Sequence, residues 1–133
     1  MRLCGSDPFT SVKSMNKPMS WIISKNWLEC PSGHVEFDFE IKQIKEFGDL
    51  AVALLYVPPN KILTENVFGV SSSGQILWQI EPILETSTDN TNCYVGITAV
   101  NTDMVRIANW NDTVVDVNVR DGKIMHKYFG RFT

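Results

Sequence analysis

His34-Val35-Glu36-Phe37-Asp38-Phe39-Glu40-Ile41-Lys42 alternates apolar and charged side chains without a break. Successive side chains on a β-strand point to opposite faces. This period therefore puts Val35, Phe37, Phe39 and Ile41 on a core face and Glu36, Asp38, Glu40 and Lys42 in water. A helix would scatter the same apolar groups around its circumference. The stretch reads as a strand with one solvated face, and it sets the fold class expected of its surroundings.

Immediately downstream, Phe47-Gly48-Asp49 supplies a turn, and Leu50-Ala51-Val52-Ala53-Leu54-Leu55-Tyr56-Val57 is apolar throughout. The shortness of that run and its stop at Pro58-Pro59-Asn60 favour a strand covered on both faces, with a short helix as the alternative. Upstream, Trp21 to Leu28 reads as a first short strand, followed by a turn at Pro31-Ser32-Gly33. From Asn66 onward the chain reads as successive hairpins. Val67–Val70 meets Gln75–Ile80, Cys93–Val100 meets Met104–Asn109, and Thr113–Val119 meets Lys123–Tyr128. The expected architecture is all-β: an antiparallel meander of about seven to nine strands, closing as a sandwich or a small barrel-like stack. Residues 1–19, aperiodic and interrupted by Pro8 and Pro18, read as a loosely structured N-terminal arm, and residues 20–133 as a single β domain.

At 133 residues the chain is long enough to bury a substantial core. Its net charge of −3, from 12 basic and 15 acidic residues, argues against a protein built to neutralise a phosphate backbone, so no nucleic-acid partner is expected. Cys4, Cys30 and Cys93 are an odd and widely spaced set, unlike a disulfide framework, and read as free thiols in a reducing compartment. The residues following Met1 lack the apolar core of a signal peptide, and the longest apolar run falls far short of the ~20 residues of a membrane helix. A cytoplasmic protein with no membrane association is the expectation.

Catalytic chemistry finds little support. Cys30 and His34 lie within reach across a turn, with Cys4 and Cys93 elsewhere, but zinc sites pair their ligands twice at tight spacing, so no metal site is expected. Cys93 sits in an apolar run, Ser71-Ser72-Ser73 is turn sequence, and only His34 and His126 are available as bases. Glu36, Asp38 and Glu40 face water, where no carboxylate is pushed towards general-acid duty, and Asp112 and Asp116 lie near Asn109 and Asn111. No glycine-rich phosphate loop is present, and no cofactor is expected. Two binding candidates remain. Asn109-Trp110-Asn111-Asp112 gathers polar groups beside an exposed ring, a chemistry suited to a sugar or a divalent ion, although Asn and Asp are also ordinary turn residues. The tail carries Tyr128, Phe129, Arg131 and Phe132, residue types enriched at the centre of protein interfaces.

Val67 to Trp78 and Val114 to Met125 resemble each other, each leading through a polar turn ending in Gly74 or Gly122 to an Ile. This hairpin resembles the blades of quinoprotein-type propellers, yet the chain is too short to close the four or more blades, roughly 160 residues, that a propeller needs. Over residues 50–133 a longer pattern is legible. It comprises Asn66-Val67-Phe68, Gly74-Gln75-Ile76-Leu77-Trp78-Gln79-Ile80-Glu81-Pro82, Tyr94-Val95-Gly96-Ile97, Ala108-Asn109-Trp110-Asn111, Val115-Asp116-Val117 and Asp121-Gly122-Lys123-Ile124. The pattern is similar to that of short uncharacterised bacterial β-rich proteins, from which the chain departs in its longer Glu85–Asn92 loop. The resemblance implies no activity and transfers no functional residue. Small solitary domains of this kind often serve as immunity partners of bacterial toxins. The expectation is a non-enzymatic protein-binding module of unidentified partner, such as a toxin-immunity protein. The alternative is a small-ligand or carbohydrate-binding β domain, and an enzyme ranks last. Nothing in the sequence selects an oligomeric state.

Overall fold

The computed structural model describes residues 21–61, 63–81, 93–110 and 113–128. The expected N-terminal arm, the Glu85–Asn92 loop and the site candidates Asn111, Asp112, Phe129, Arg131 and Phe132 lie outside those residues. Among the described residues there are eleven strands and no helix. They are β1 (Ile22–Ser24), β2 (Trp27–Cys30), β3 (Gly33–Glu36), β4 (Ile41–Glu46), β5 (Leu50–Leu55), β6 (Val67–Ser71), β7 (Ile76–Gln79), β8 (Tyr94–Asn101), β9 (Met104–Asn109), β10 (Val114–Asn118) and β11 (Ile124–Tyr128). They form three antiparallel sheets, ordered β1-β2-β3, β4-β5-β6-β7 and β11-β10-β9-β8, none of which closes into a barrel.

The strand count exceeds the expected seven to nine because two stretches read as single strands are each broken. Trp21–Leu28 folds back on itself at Lys25-Asn26, where Lys25 takes a left-handed backbone with φ 58°, so that Ser24 pairs with Trp27. The alternating stretch ends as a strand at Glu36 and resumes at Ile41. Between those points the chain leaves the first sheet for the second, held by Phe37 N–H to Asn26 O (2.8 Å), Asn26 Nδ2 to Phe37 O (2.8 Å) and Ile41 N–H to Lys25 O (2.9 Å). The burial alternation survives the corner: Phe37 and Ile41 are buried, Val35 and Phe39 half-buried, and Glu36, Asp38, Glu40 and Lys42 exposed. A side chain's choice of face thus outlasts the ladder that usually enforces it.

β5 explains the layering. Leu50, Val52 and Leu54 pack into one core with Ile97, Val105, Ile107, Val115 and Val117 of the β8–β11 sheet. Ala51, Ala53 and Leu55 pack into a second core with Leu28 and Cys30 of the β1–β3 sheet. The middle sheet is therefore covered on both faces at β5, as its unbroken apolar run requires. The result is three stacked sheets, none closed into a barrel, where a sandwich or a small barrel-like stack is the expectation.

Trp78 locks two of these layers together. Its indole Nε1 donates to Val119 O at 2.8 Å, and its ring lies against Gly122, where a Cβ would come within 2.6 Å of Cδ2. Gly122 also sits at φ 77° in the β10–β11 turn, so both the ring and the backbone demand glycine there. Side-chain amides join the remaining seam. Gln43 of β4 donates from Nε2 to Ile97 O (2.8 Å) and accepts from Ile97 N–H (3.3 Å). The fully buried Asn66 donates to Leu55 O and Tyr94 O and accepts from Tyr94 N–H, each at 2.8 Å. Both amides present one donor and one acceptor to β8, the pattern a neighbouring strand would offer. No helix among the described residues is long and apolar enough to cross a membrane.

Candidate functional site

The inner face of the β8–β11 sheet is core, and among the described residues no other sheet covers its outer face. Register sets what that outer face presents. Gly96 pairs with Ala108, Ala108 with Val114, and Val114 with Tyr128, forming one rung across all four strands. The next outward rung is Thr98, Arg106, Asp116 and His126. Three small side chains in a row make a depression, because the flanking Tyr128, Arg106 and Gln43 are large. The hollow encloses about 430 Å³ and is lined by Gly96, Ile97, Thr98, Ala108 and Val114 together with those three. A Cβ placed on Gly96 would meet nothing within 4 Å, so that position opens into free space.

Beside the hollow lies an organised polar group. Asp116 is only 2% exposed although it sits on the outer face. Arg106 and Tyr128 cover it: Arg106 Nε donates to Oδ1 (2.8 Å), Nη2 to Oδ2 (3.1 Å), and the Tyr128 hydroxyl to Oδ2 (3.0 Å). The guanidinium carbon also stands 5.5 Å from the Tyr128 ring centre. The hydrogen bond from Arg106 is the main influence holding the Asp116 carboxyl below the usual carboxylate range, with a further contribution from Tyr128. The same bond holds Arg106 more firmly protonated than an ordinary arginine. Charged bidentate geometry of this kind fixes a side chain's direction as well as its charge. Arg106 is thus a donor aimed from a rigid base, with 48% of its side chain exposed.

The sequence candidates divide on this frame. Asn109 is buried, its N–H donating to Thr113 O at 2.7 Å, so it closes the β9–β10 turn. Trp110 is 63% exposed beside it, held by its own N–H to Cys93 O. Tyr128 is paired with Val114 across the β10–β11 ladder. Arg106, Gly96 and Thr98 were not singled out from the sequence. Folding the chain symmetrically about Asn111 pairs 109 with 113 and therefore 106 with 116, opposite charges directly across the ladder. That signal was available once β9 and β10 were read as partners.

Elsewhere, Cys30 is buried with its thiol on Leu28 O (3.7 Å), and burial pushes its pKa up, as it does for Cys93. His34 stacks on Trp27 with ring centres 4.2 Å apart. Among the described residues no three His, Cys, Asp or Glu side chains cluster as metal ligands would. No curated protein matches the chain. No solved structure matches it either. Residues 19–129 do match the model of DUF7957, a domain of unknown function, and the chain belongs to that family.

Proposed function

We propose that the chain is a non-enzymatic binding domain that holds a small ligand in the hollow on the outer face of the β8–β11 sheet. The observation that carries this reading is the pairing of an apolar depression with a rigidly supported donor. Its volume of about 430 Å³ lies in the range of small-molecule sites, which are mostly apolar with a few fixed polar groups. Arg106, backed by Asp116 and Tyr128, is such a group. Gly96, Ile97, Ala108 and Val114 give the hollow an apolar floor, which favours binding over turnover. The test is a ligand panel followed by amide chemical shifts on the isotope-labelled chain. Binders are expected to move Gly96, Thr98, Arg106 and Ala108, and to be lost in Gly96→Phe, which fills the open space without touching the core. Binders that map elsewhere, or survive Gly96→Phe, overturn the proposal.

A second reading, a protein-binding module such as a toxin-immunity protein, draws on a different observation. Two edge strands carry adjacent exposed apolar side chains, Ile22 and Ile23 on β1 and Ile76 and Leu77 on β7. Exposed apolar edges are a ready surface for another chain. Affinity capture with the wild-type chain and an Ile76→Thr, Leu77→Thr double variant tests it. A stoichiometric partner lost by the variant favours this reading, and capture of the same proteins by both baits counts against it.

A further inference from the structure

We propose that the hollow selects an uncharged ligand, with an apolar body and a carbonyl-type hydrogen-bond acceptor, over the corresponding carboxylate. This rests on the small-ligand reading of the same site and adds the class of molecule.

The apolar body follows from the floor. Gly96, Ala108, Val114 and Ile97 contribute no polar side chain, and both ends of the Gln43 amide are already bonded to Ile97. The acceptor follows from Arg106. Its Nε and Nη2 are taken by Asp116 and the Tyr128 hydroxyl also holds the guanidinium, so Nη1 is the nitrogen that Asp116 leaves for a ligand. Because Asp116 and Tyr128 fix the guanidinium from behind, a ligand meeting Nη1 does not have to order a loose side chain. Thr98, beside Arg106 on the same rung, adds a hydroxyl at the rim.

Charge decides between a carbonyl and a carboxylate. The positive charge of Arg106 is already matched by Asp116, which the pairing keeps ionised. An incoming carboxylate would feel attraction from Arg106 and repulsion from Asp116 behind it, and the two largely offset. It would still lose hydration on leaving water, a loss far smaller for a neutral carbonyl. The other basic side chains nearby do not line the hollow. Lys42 is bonded to Val95 O (3.0 Å), and His126 lies across Asp116 from Arg106.

The experiment titrates the full-length labelled chain with N-methylbenzamide and, separately, with benzoate at neutral pH, following the amides of Gly96, Thr98 and Ala108 and the Arg106 Nε–H. The amide probe is expected to bind about tenfold tighter than benzoate. Gly96→Phe should abolish the response to both. Asp116→Asn leaves the Arg106 charge unmatched and should move the preference towards benzoate, provided its amide spectrum shows the native fold. Arg106→Gln, which removes the same charge from the exposed side, should weaken the amide probe without creating benzoate binding. Benzoate binding as tightly as the amide in the wild-type chain overturns the ligand class and leaves the small-ligand reading standing. Silence of the hollow towards both probes overturns this inference, and the broader panel then decides the reading beneath it.

Discussion

Arg106–Asp116 and Arg120–Asp49 each bring a guanidinium nitrogen to 2.8 Å from a carboxylate oxygen. The first pair spans neighbouring strands, and its carboxylate side chain is 3% exposed and receives three hydrogen bonds. The second joins the β10–β11 turn to the β4–β5 turn, through one bond, with side chains 51% and 72% exposed. In both, the arginine's hydrogen bond lowers the aspartate pKa. Equal distances therefore conceal unequal roles. Water competes for the exposed pair at every moment, whereas Arg106 and Tyr128 themselves shield the Asp116 carboxylate from it. One pair builds a surface; the other decorates it.

Asp116→Asn should break that contrast most visibly. Loss of the buried carboxylate is expected to cost about 2 kcal/mol in urea unfolding at neutral pH. A fully buried pair would cost more, but Arg106 is half-exposed and water takes over its charge. The pH dependence has a definite sign. The folded-state pKa of Asp116 is below its unfolded value of about 3.9, so the contribution is complete above that value and lost as pH falls through the folded one. The gap between wild type and Asp116→Asn should narrow from pH 7 towards strong acid. A gap that stays constant would mean that the charge of Asp116 does not stabilise the fold.

How much of this was legible beforehand follows from how local each signal is. The apolar run at Leu50–Val57 favours a strand covered on both faces over a short helix because its own side chains carry that requirement, and β5, over Leu50–Leu55, has both cores. The three later hairpins were legible for the same reason, since turn residues and alternation are local. The corner at Phe37–Glu40 was not, because its hydrogen bonds come from the distant Lys25-Asn26 turn while the alternation continues undisturbed. Gln43 and Asn66 were invisible as stitches, since an amide standing in for a strand leaves no period in the sequence. The hollow is the extreme case. Gly96, Ala108 and Val114 are unremarkable singly and form a floor only when the registers of β8 with β9 and of β9 with β10 align them.

Tyr128→Phe sharpens the comparison at intermediate size. It keeps the ring near Arg106 and removes only the hydroxyl bonded to Asp116. The expected loss is about 1 kcal/mol, measured as a shift in urea midpoint. If the hydroxyl acts through the buried carboxylate, the same change made in an Asp116→Asn background should have a smaller effect. Additive losses would place the contribution of Tyr128 elsewhere, outside the network that orients Arg106.

Asp49→Asn is expected to do least, and for a reason beyond exposure. The main chain at Asp49 is engaged independently of its carboxylate, because Asp49 O accepts from Ser72 N–H at 3.0 Å. Substitution by Asn keeps that carbonyl and offers Arg120 an amide oxygen where the carboxylate stood. The turn should hold its place, and the urea midpoint should not move measurably at low or high salt. A loss comparable to that of Asp116→Asn would show that the 2.8 Å contact itself, and not the burial around it, governs both pairs. The polar group beside the hollow would then be no better organised than a surface ion pair, and its claim to orient a ligand would fall with it.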